Sequence, residues 1–161
     1  MKLSKGVGYM YTIQKSLNHC IDIYGHYSMF HHYQPLMDTY RYGSSQRKYI
    51  KAKYGLYGKV EDHHLIPKQF KYHPVIIESG FQIHCSHNLK MMPSNKYNVP
   101  DHILIHHTHP AYNQYVKQYL DGLMRYDTDA QQYRLLSFTK GLDIRLNYKN
   151  MIPWTNKMVD K

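Results

Sequence analysis

Apolar residues recur at Met10, Ile13, Leu17, Cys20 or Ile21, and Tyr24, a spacing that predicts an amphipathic helix stopped by Gly25. The stretch 25–43 is rich in Tyr and His and has weak periodicity. Ser44-Ser45 offers a cap for a short basic helix over 46–53, which Gly55 and Gly58 then break. A strand is expected over 59–66, ended by Pro67. Pro74 opens a short helix over 75–79, closed by Gly80. The apolar run 89–92 predicts a second strand, ended by Pro93. The clearest helix follows Pro110, with Tyr112, Tyr115, Val116, Tyr119, Leu120 and Leu123 on one face. A last helix is expected with Thr128 as cap, Gln131 three residues on, and Gly141 beyond its end. Its apolar positions are Tyr133, Leu136 and Leu135. In the tail, Ile144, Leu146, Ile152 and Trp154 are candidates to pack back onto the body.

Length and composition narrow the class. The chain has 161 residues, which suits one domain, alone or with arms. A chain this long buries roughly 70% of its unfolded surface and needs no covalent staples. With only Cys20 and Cys85, neither a disulfide scaffold nor a multi-cysteine zinc module is available. Two lone thiols fit a reducing compartment. No secretory leader or membrane-spanning apolar run is visible, so an intracellular protein, in cytoplasm or host nucleus, with no membrane partner is expected. No internal repeat is visible.

Charge and histidine point to a polyanion. The formal net charge is +10, and there are 13 His and 18 Tyr. Residues 1–60 carry nine Lys/Arg against two Asp/Glu, 61–109 carry four of each, and 110–161 carry eight against five. The neutral middle holds nine of the histidines. This arrangement suggests chemistry in the centre and phosphate grip at the flanks, although solvated flanks alone give the same charge pattern.

Two motifs carry candidate chemistry. In Asp62-His63-His64-Leu65-Ile66-Pro67, strand alternation sends neighbouring histidines to opposite sides. One can face a metal while the other faces a water. The pair His31-His32 is read as incidental. In His109-Pro110-Ala111-Tyr112-Asn113, His109 and Asn113 stand four apart at a helix start and share a face. An imidazole and an amide oxygen can then reach one cation, or His109 can simply cap the helix. His84, Cys85 and His87 cluster without a matching CxxC, so a zinc site there is the lesser reading. His73 before Pro74 is expected to cap or pack at a turn. Glu61 and Asp62 are a carboxylate pair, solvated groups, or the orienting partner of a histidine. His102 is unassigned.

The ordered set Asp-His-His-Leu-Ile-Pro-Lys-Gln-Phe (62–70), His73-Pro74, Gly80 with Ile83, Asn88-Leu89, Met92-Pro93, His106/His107 and His109-Pro110-Ala111-Tyr112-Asn113 resembles the AHH branch of the HNH endonucleases. The resemblance spans about 59–125. It implies an α+β fold with a ββα-metal core and additional flanking helices. The implied division is a basic, Tyr-rich helical extension over 1–58, the nuclease core over 59–125, and a helical extension over 126–161 packed on that core. It implies phosphodiester hydrolysis with one divalent cation; magnesium or manganese suits a hydrolytic centre with open positions, and the His-rich ligand set makes zinc or nickel the alternatives. By the same resemblance His63 is the metal-side residue and His64 the general base. Asn88 pins the loop between the strands, and His109 with Asn113 completes the metal site. His106 or His107 is the additional upstream histidine. Asp62 departs from the family's small residue, Thr108 replaces a more typical Gly-containing spacer, and the upstream histidine is closer to His109 than is usual.

These residue types suit the reaction. A cation stabilises charge on phosphate and leaving oxygen, while a neutral imidazole takes a proton from water. Arg47, Lys48, Lys51, Lys53, Lys59 and Lys68 are expected to grip nucleic acid, most readily DNA, with Tyr49, Tyr54 and Tyr57 packing on the inner face of that flank in preference to stacking on bases. No base-reading module is recognisable, so little sequence specificity is expected. The alternative is a non-catalytic nucleic-acid-binding or packaging protein of the same fold. A toxin effector domain is a third reading, disfavoured by a chain that starts with its own Met. The composition also fits a viral or phage source.

Overall fold

In the computed structural model, residues 39–96, 99 and 101–155 are described. The expected helix over 10–24, the Tyr- and His-rich stretch up to 38, and His31-His32 lie outside these residues. Strands β1 (Val60–His64) and β2 (Leu89–Pro93) pair antiparallel, with Val60 opposite Pro93 and His64 opposite Leu89. Because side chains alternate along a strand, Glu61 and His63 project to one face, and Val60, Asp62 and His64 to the other. Each face buries its own apolar cluster. On the first, Met92 joins Leu104, Tyr112, Val116 and Leu120 in the main core. On the second, Val60 and Met91 pack with Ile50 and Leu56.

Helix α1 (Ser45–Lys53) starts at Ser44, whose hydroxyl accepts from the Arg47 N–H, as the sequence predicts. Its Ile50 covers the second sheet face. Helix α2 (Pro74–Glu78) is capped by His73, whose Nδ1 accepts from the Val75 N–H. Gly80 then turns the chain with φ of 67°, a conformation that favours glycine. Helix α3 (Pro110–Leu123) buries Tyr112, Val116, Leu120 and Leu123, one residue per turn. The fold is thus α+β, a two-stranded antiparallel sheet flanked by four α-helices among the described residues.

Helix α4 (Thr128–Arg145) departs from expectation at both ends and on its face. Asp127 is the cap, its carboxylate accepting from Ala130 N–H at 2.8 Å. An anion suits a helix start better than the Thr hydroxyl one residue on. Gly141 lies inside the helix. A helical glycine costs about 1 kcal/mol relative to alanine, and the burial of Leu142 and Leu146 beyond it outweighs that loss. The core face is Gln131, Leu135, Thr139 and Leu142, whereas Tyr133 is 72% exposed and Leu136 and Ile144 are also exposed. Tyr119 stacks on Phe138 with ring centroids 3.6 Å apart, joining α3 to α4. Lys90 of β2 reaches Asp143 of α4 at 2.8 Å. Leu146, Ile152 and Trp154 fold back into the main core.

Candidate metal centre and catalytic cleft

Three histidines converge on the first face of β1. His63 comes from the strand itself and is buried. His106 is placed by a parallel bridge in which its N–H donates to Pro93 O at 2.8 Å, extending the end of β2. His109 is the residue before α3, and its side chain makes no cap bond, so the ring is free to turn inward. The candidate ligand nitrogens of His63, His106 and His109 all lie within 4.8 Å of one another. His106 Nδ1 donates to Glu61 Oε2 at 2.6 Å, and His109 Nδ1 meets Asn113 Oδ1 at 3.1 Å. Those bonds fix each tautomer and leave Nε2 as the available lone pair. His63 Nε2 is buried and has no hydrogen-bond partner. A buried ring nitrogen without a partner is disfavoured, and a cation at this point resolves it. The residues present therefore fit a divalent metal ion.

Burial, then the nearby His109, His106, His64 and Lys90, push the His63 pKa well below its ordinary 6.5. Burial also lowers that of His109, with His106 and His107 adding to the effect and the bonds to its own backbone and to Asn113 opposing it. Neutral rings keep their lone pairs available for a metal. Trp154 closes the back of the group, its ring 4.7 Å from His109 and 5.4 Å from His63. Its indole N–H donates to His107 Nε2 at 3.1 Å, which turns His107 away and leaves His106 as the third member.

The other face of β1 carries Asp62 and His64. His64 is buried, with Nε2 at 3.1 Å from His84 Nδ1 and the Tyr42 ring 4.6 Å away. Burial, then the Lys68 and His84 charges, lower its pKa to about 4. A cleft of about 440 Å³ runs along β1 and is lined by both faces, including Tyr42, Lys51, His63, His64, Lys68, His106 and His109. His64 and the three-histidine group therefore border the same space.

Asn88 holds this arrangement from behind and is fully buried. Its Oδ1 accepts from the Ile66 N–H at 2.7 Å, and its Nδ2 donates to Ile66 O at 3.0 Å and Ile83 O at 2.8 Å. The expected strand over 59–66 ends at His64: the Leu65 N–H still donates to Asn88 O at 2.9 Å, but the Ile66 N–H is taken by the Asn88 side chain in place of a further rung. The Tyr112 hydroxyl donates to Leu65 O, tying α3 to the same turn.

The family model AHH, a nuclease family of the HNH/ENDO VII superfamily with conserved AHH, matches residues 46–144, more than half of the chain. The chain belongs to the AHH nuclease family. Membership in a nuclease family makes nucleic acid the substrate class. No curated protein and no solved structure matches the chain. The matched segment of this AHH chain runs from α1 into α4.

Several expectations change in detail. Arg47 is not a surface phosphate contact: it is 1% exposed, and its guanidinium donates to both Asp62 oxygens and to Tyr40 O. Asp62, where the family has a small residue, faces α1 and recruits Arg47 together with Lys51 at 3.0 Å. Burial raises the Asp62 pKa, but the bonds and charges of Arg47 and Lys51 outweigh it and hold it below the ordinary value. Lys51 still lines the cleft, and Lys68 stands there over the Tyr42 ring. Lys48 and Lys59 are exposed, and Lys53 lies over the Tyr49 and Tyr54 rings. Tyr54 packs inward as expected, but Tyr49 and Tyr57 are exposed. Asn113 engages His109 through the very oxygen expected to reach a cation. Among the described residues His84, Cys85 and His87 form no metal-binding group, and His84 turns to His64. Tyr42 is the neighbour of the site that sequence reasoning left without a role, His84 and Trp154 were read only as a lesser zinc cluster and a packing residue, and Glu61 takes the histidine-orienting place that was one of its readings. For Glu61 the signal was present, since strand alternation places it beside His63.

Proposed function

We propose that this chain is a metal-dependent endonuclease that hydrolyses phosphodiester bonds in DNA, with His64 as general base and one divalent cation held by His63, His106 and His109. The observation that carries the reading is the unpartnered, buried Nε2 of His63 beside two imidazoles whose Nδ1 atoms are already engaged. When bound, the cation supplies positive charge to the scissile phosphate and to the departing 3′ oxygen. Three imidazoles suit zinc or nickel better than magnesium or manganese, which prefer oxygen donors. Asn113 and Glu61 orient the histidines in this reading.

His64 does the proton work. Its ring stays neutral near pH 7, because its pKa is lowered to about 4. A water loses one proton to His64 as its oxygen bonds to phosphorus. The phosphorus–3′-oxygen bond breaks with its electron pair going to the leaving oxygen, which then takes a proton from solvent. Lys51 and Lys68 at the cleft grip the neighbouring phosphates. Among the described residues no base-reading element lines the cleft, so cleavage is expected to tolerate many sequences.

Nicking of supercoiled plasmid by the full chain, with zinc, nickel, manganese or magnesium and with EDTA, tests the reading. Metal-dependent nicks that fall by about 10²–10⁴-fold in His64→Ala, with DNA binding retained, are expected. Salt-sensitive binding without cuts under every ion would instead make the protein a packaging factor. Cleavage of matched RNA in preference to DNA would refute the choice of substrate.

A further inference from the structure

A general base needs more than a neutral ring. Its lone pair must face the water, and its other nitrogen must hold the hydrogen. The two nitrogens joining His64 Nε2 to His84 Nδ1 at 3.1 Å can share a single hydrogen. Were His84 the donor, His64 would carry its own hydrogen on Nδ1, and no lone pair would remain for water. With His64 Nε2–H donating, Nδ1 keeps the lone pair, on a ring that lines the cleft. We propose that His84, held in place by Tyr42, is the positioning residue of His64: it accepts the Nε2 hydrogen and so selects Nδ1 as the nitrogen that takes the proton from water. This rests on the reading of His64 as the base.

The surroundings show why an exposed histidine can do this. His84 is solvent-exposed, and such a side chain ordinarily samples several rotamers. Here its backbone is fixed from two directions. Asn88 Nδ2 holds the preceding carbonyl, Ile83 O, at 2.8 Å, and the Tyr42 N–H donates to His84 O at 3.0 Å. The Tyr42 ring stacks on His84, 25° from parallel with centroids 5.7 Å apart, and also leans on His64. The Lys68 ammonium lies 3.9 Å from the centroid of the Tyr42 ring and holds it in turn. Tyr42 lies outside the segment matched to the family, so this clamp is added by the flank. As His64 takes up charge, its bond to His84 becomes charge-assisted and strengthens. The gain appears in the transition state and not in DNA binding.

Steady-state cleavage by the full chain with the activating metal tests the assignment. His84→Ala should lower kcat by about 10–100-fold with KM for DNA within about twofold. His84→Asn, whose amide oxygen can accept near the Nδ1 position, should recover most of the rate. In a His64→Ala background, His84→Ala should cost nothing further, because the two act as one unit. Nitrogen-15 imidazole NMR of the wild-type chain should find His64 with hydrogen on Nε2, a preference lost in His84→Ala. An unaltered kcat in His84→Ala, additive losses in the double variant, or His64 with hydrogen on Nδ1 in the wild type would each overturn the proposal. Full activity in His64→Ala alone would instead overturn the base assignment on which it rests.

Discussion

Replacing Asn88 by alanine should separate the structural scaffold of the site from its chemistry. The side chain is fully buried and makes three hydrogen bonds, one accepted from Ile66 N–H and two donated to the carbonyls of Ile66 and Ile83. Alanine leaves those three backbone groups without partners, at positions where neighbouring side chains are apolar. A buried group left unsatisfied costs about 1–3 kcal/mol, and some relaxation is available, so the expected loss is about 3–5 kcal/mol. That is a large share of a stability typically near 5–15 kcal/mol. Urea unfolding followed by tryptophan fluorescence reads it directly, because Trp154 is the single tryptophan and packs against His109. With m of about 2 kcal/mol/M, the midpoint should fall by roughly 2 M at unchanged m. A loss below about 1 kcal/mol would refute the reasoning, since it would mean that the three groups find other partners at little expense. At temperatures where Asn88→Ala remains folded, nuclease activity should still fall, because Ile83 precedes His84 and Ile66 follows the turn from His64.

Further outcomes follow from the same contacts. Glu61→Gln weakens the bond that orients His106 and should lower zinc affinity by about 10–100-fold in competition with a chelator; unchanged affinity would remove Glu61 from the site. In metal-free protein, His63, His64 and His109 stay neutral below the pH at which the unfolded chain protonates them. Their folded pKa values lie below 6.5, so the unfolded state binds more protons there, and stability should fall as pH drops from about 6.5 toward 5. Each ring contributes up to about 1.4 kcal/mol per pH unit until its folded value is reached, and a flat urea profile between pH 7 and 5 would contradict the burial of these rings. Arg47→Met leaves Asp62 paired with Lys51 alone and should cost about 2–4 kcal/mol in the same assay. A neutral result would show that Asp62 rehydrates when the guanidinium is removed.

Much of the site was legible because its spacing is local. Alternation along 60–64 separated His63 from His64, and the turn of a helix start put His109 beside Asn113. The elements around them were equally local: the Ser44 cap, the Pro74 and Pro110 starts, and the one-per-turn stripe of α3. What could not be read from spacing were choices between neighbours of the same type. His106 joins the three-histidine group because the end of β2 bridges to it, while His107 goes to a tryptophan from the far end of the chain. Arg47 looks like a phosphate contact on a basic helix until Asp62, fifteen residues away, takes it into the interior. Gly141 looks like a helix end until Leu142 and Leu146 meet the core. The order and spacing of the motifs, through their resemblance to a known family, therefore pointed to the α+β class, the nuclease family and the histidines worth watching. The tertiary structure decided which nitrogen each histidine has left to offer, because a ring nitrogen's role is set by the partner on its other side. In this protein those partners, Glu61, His84 and Trp154, come from segments that only folding brings together.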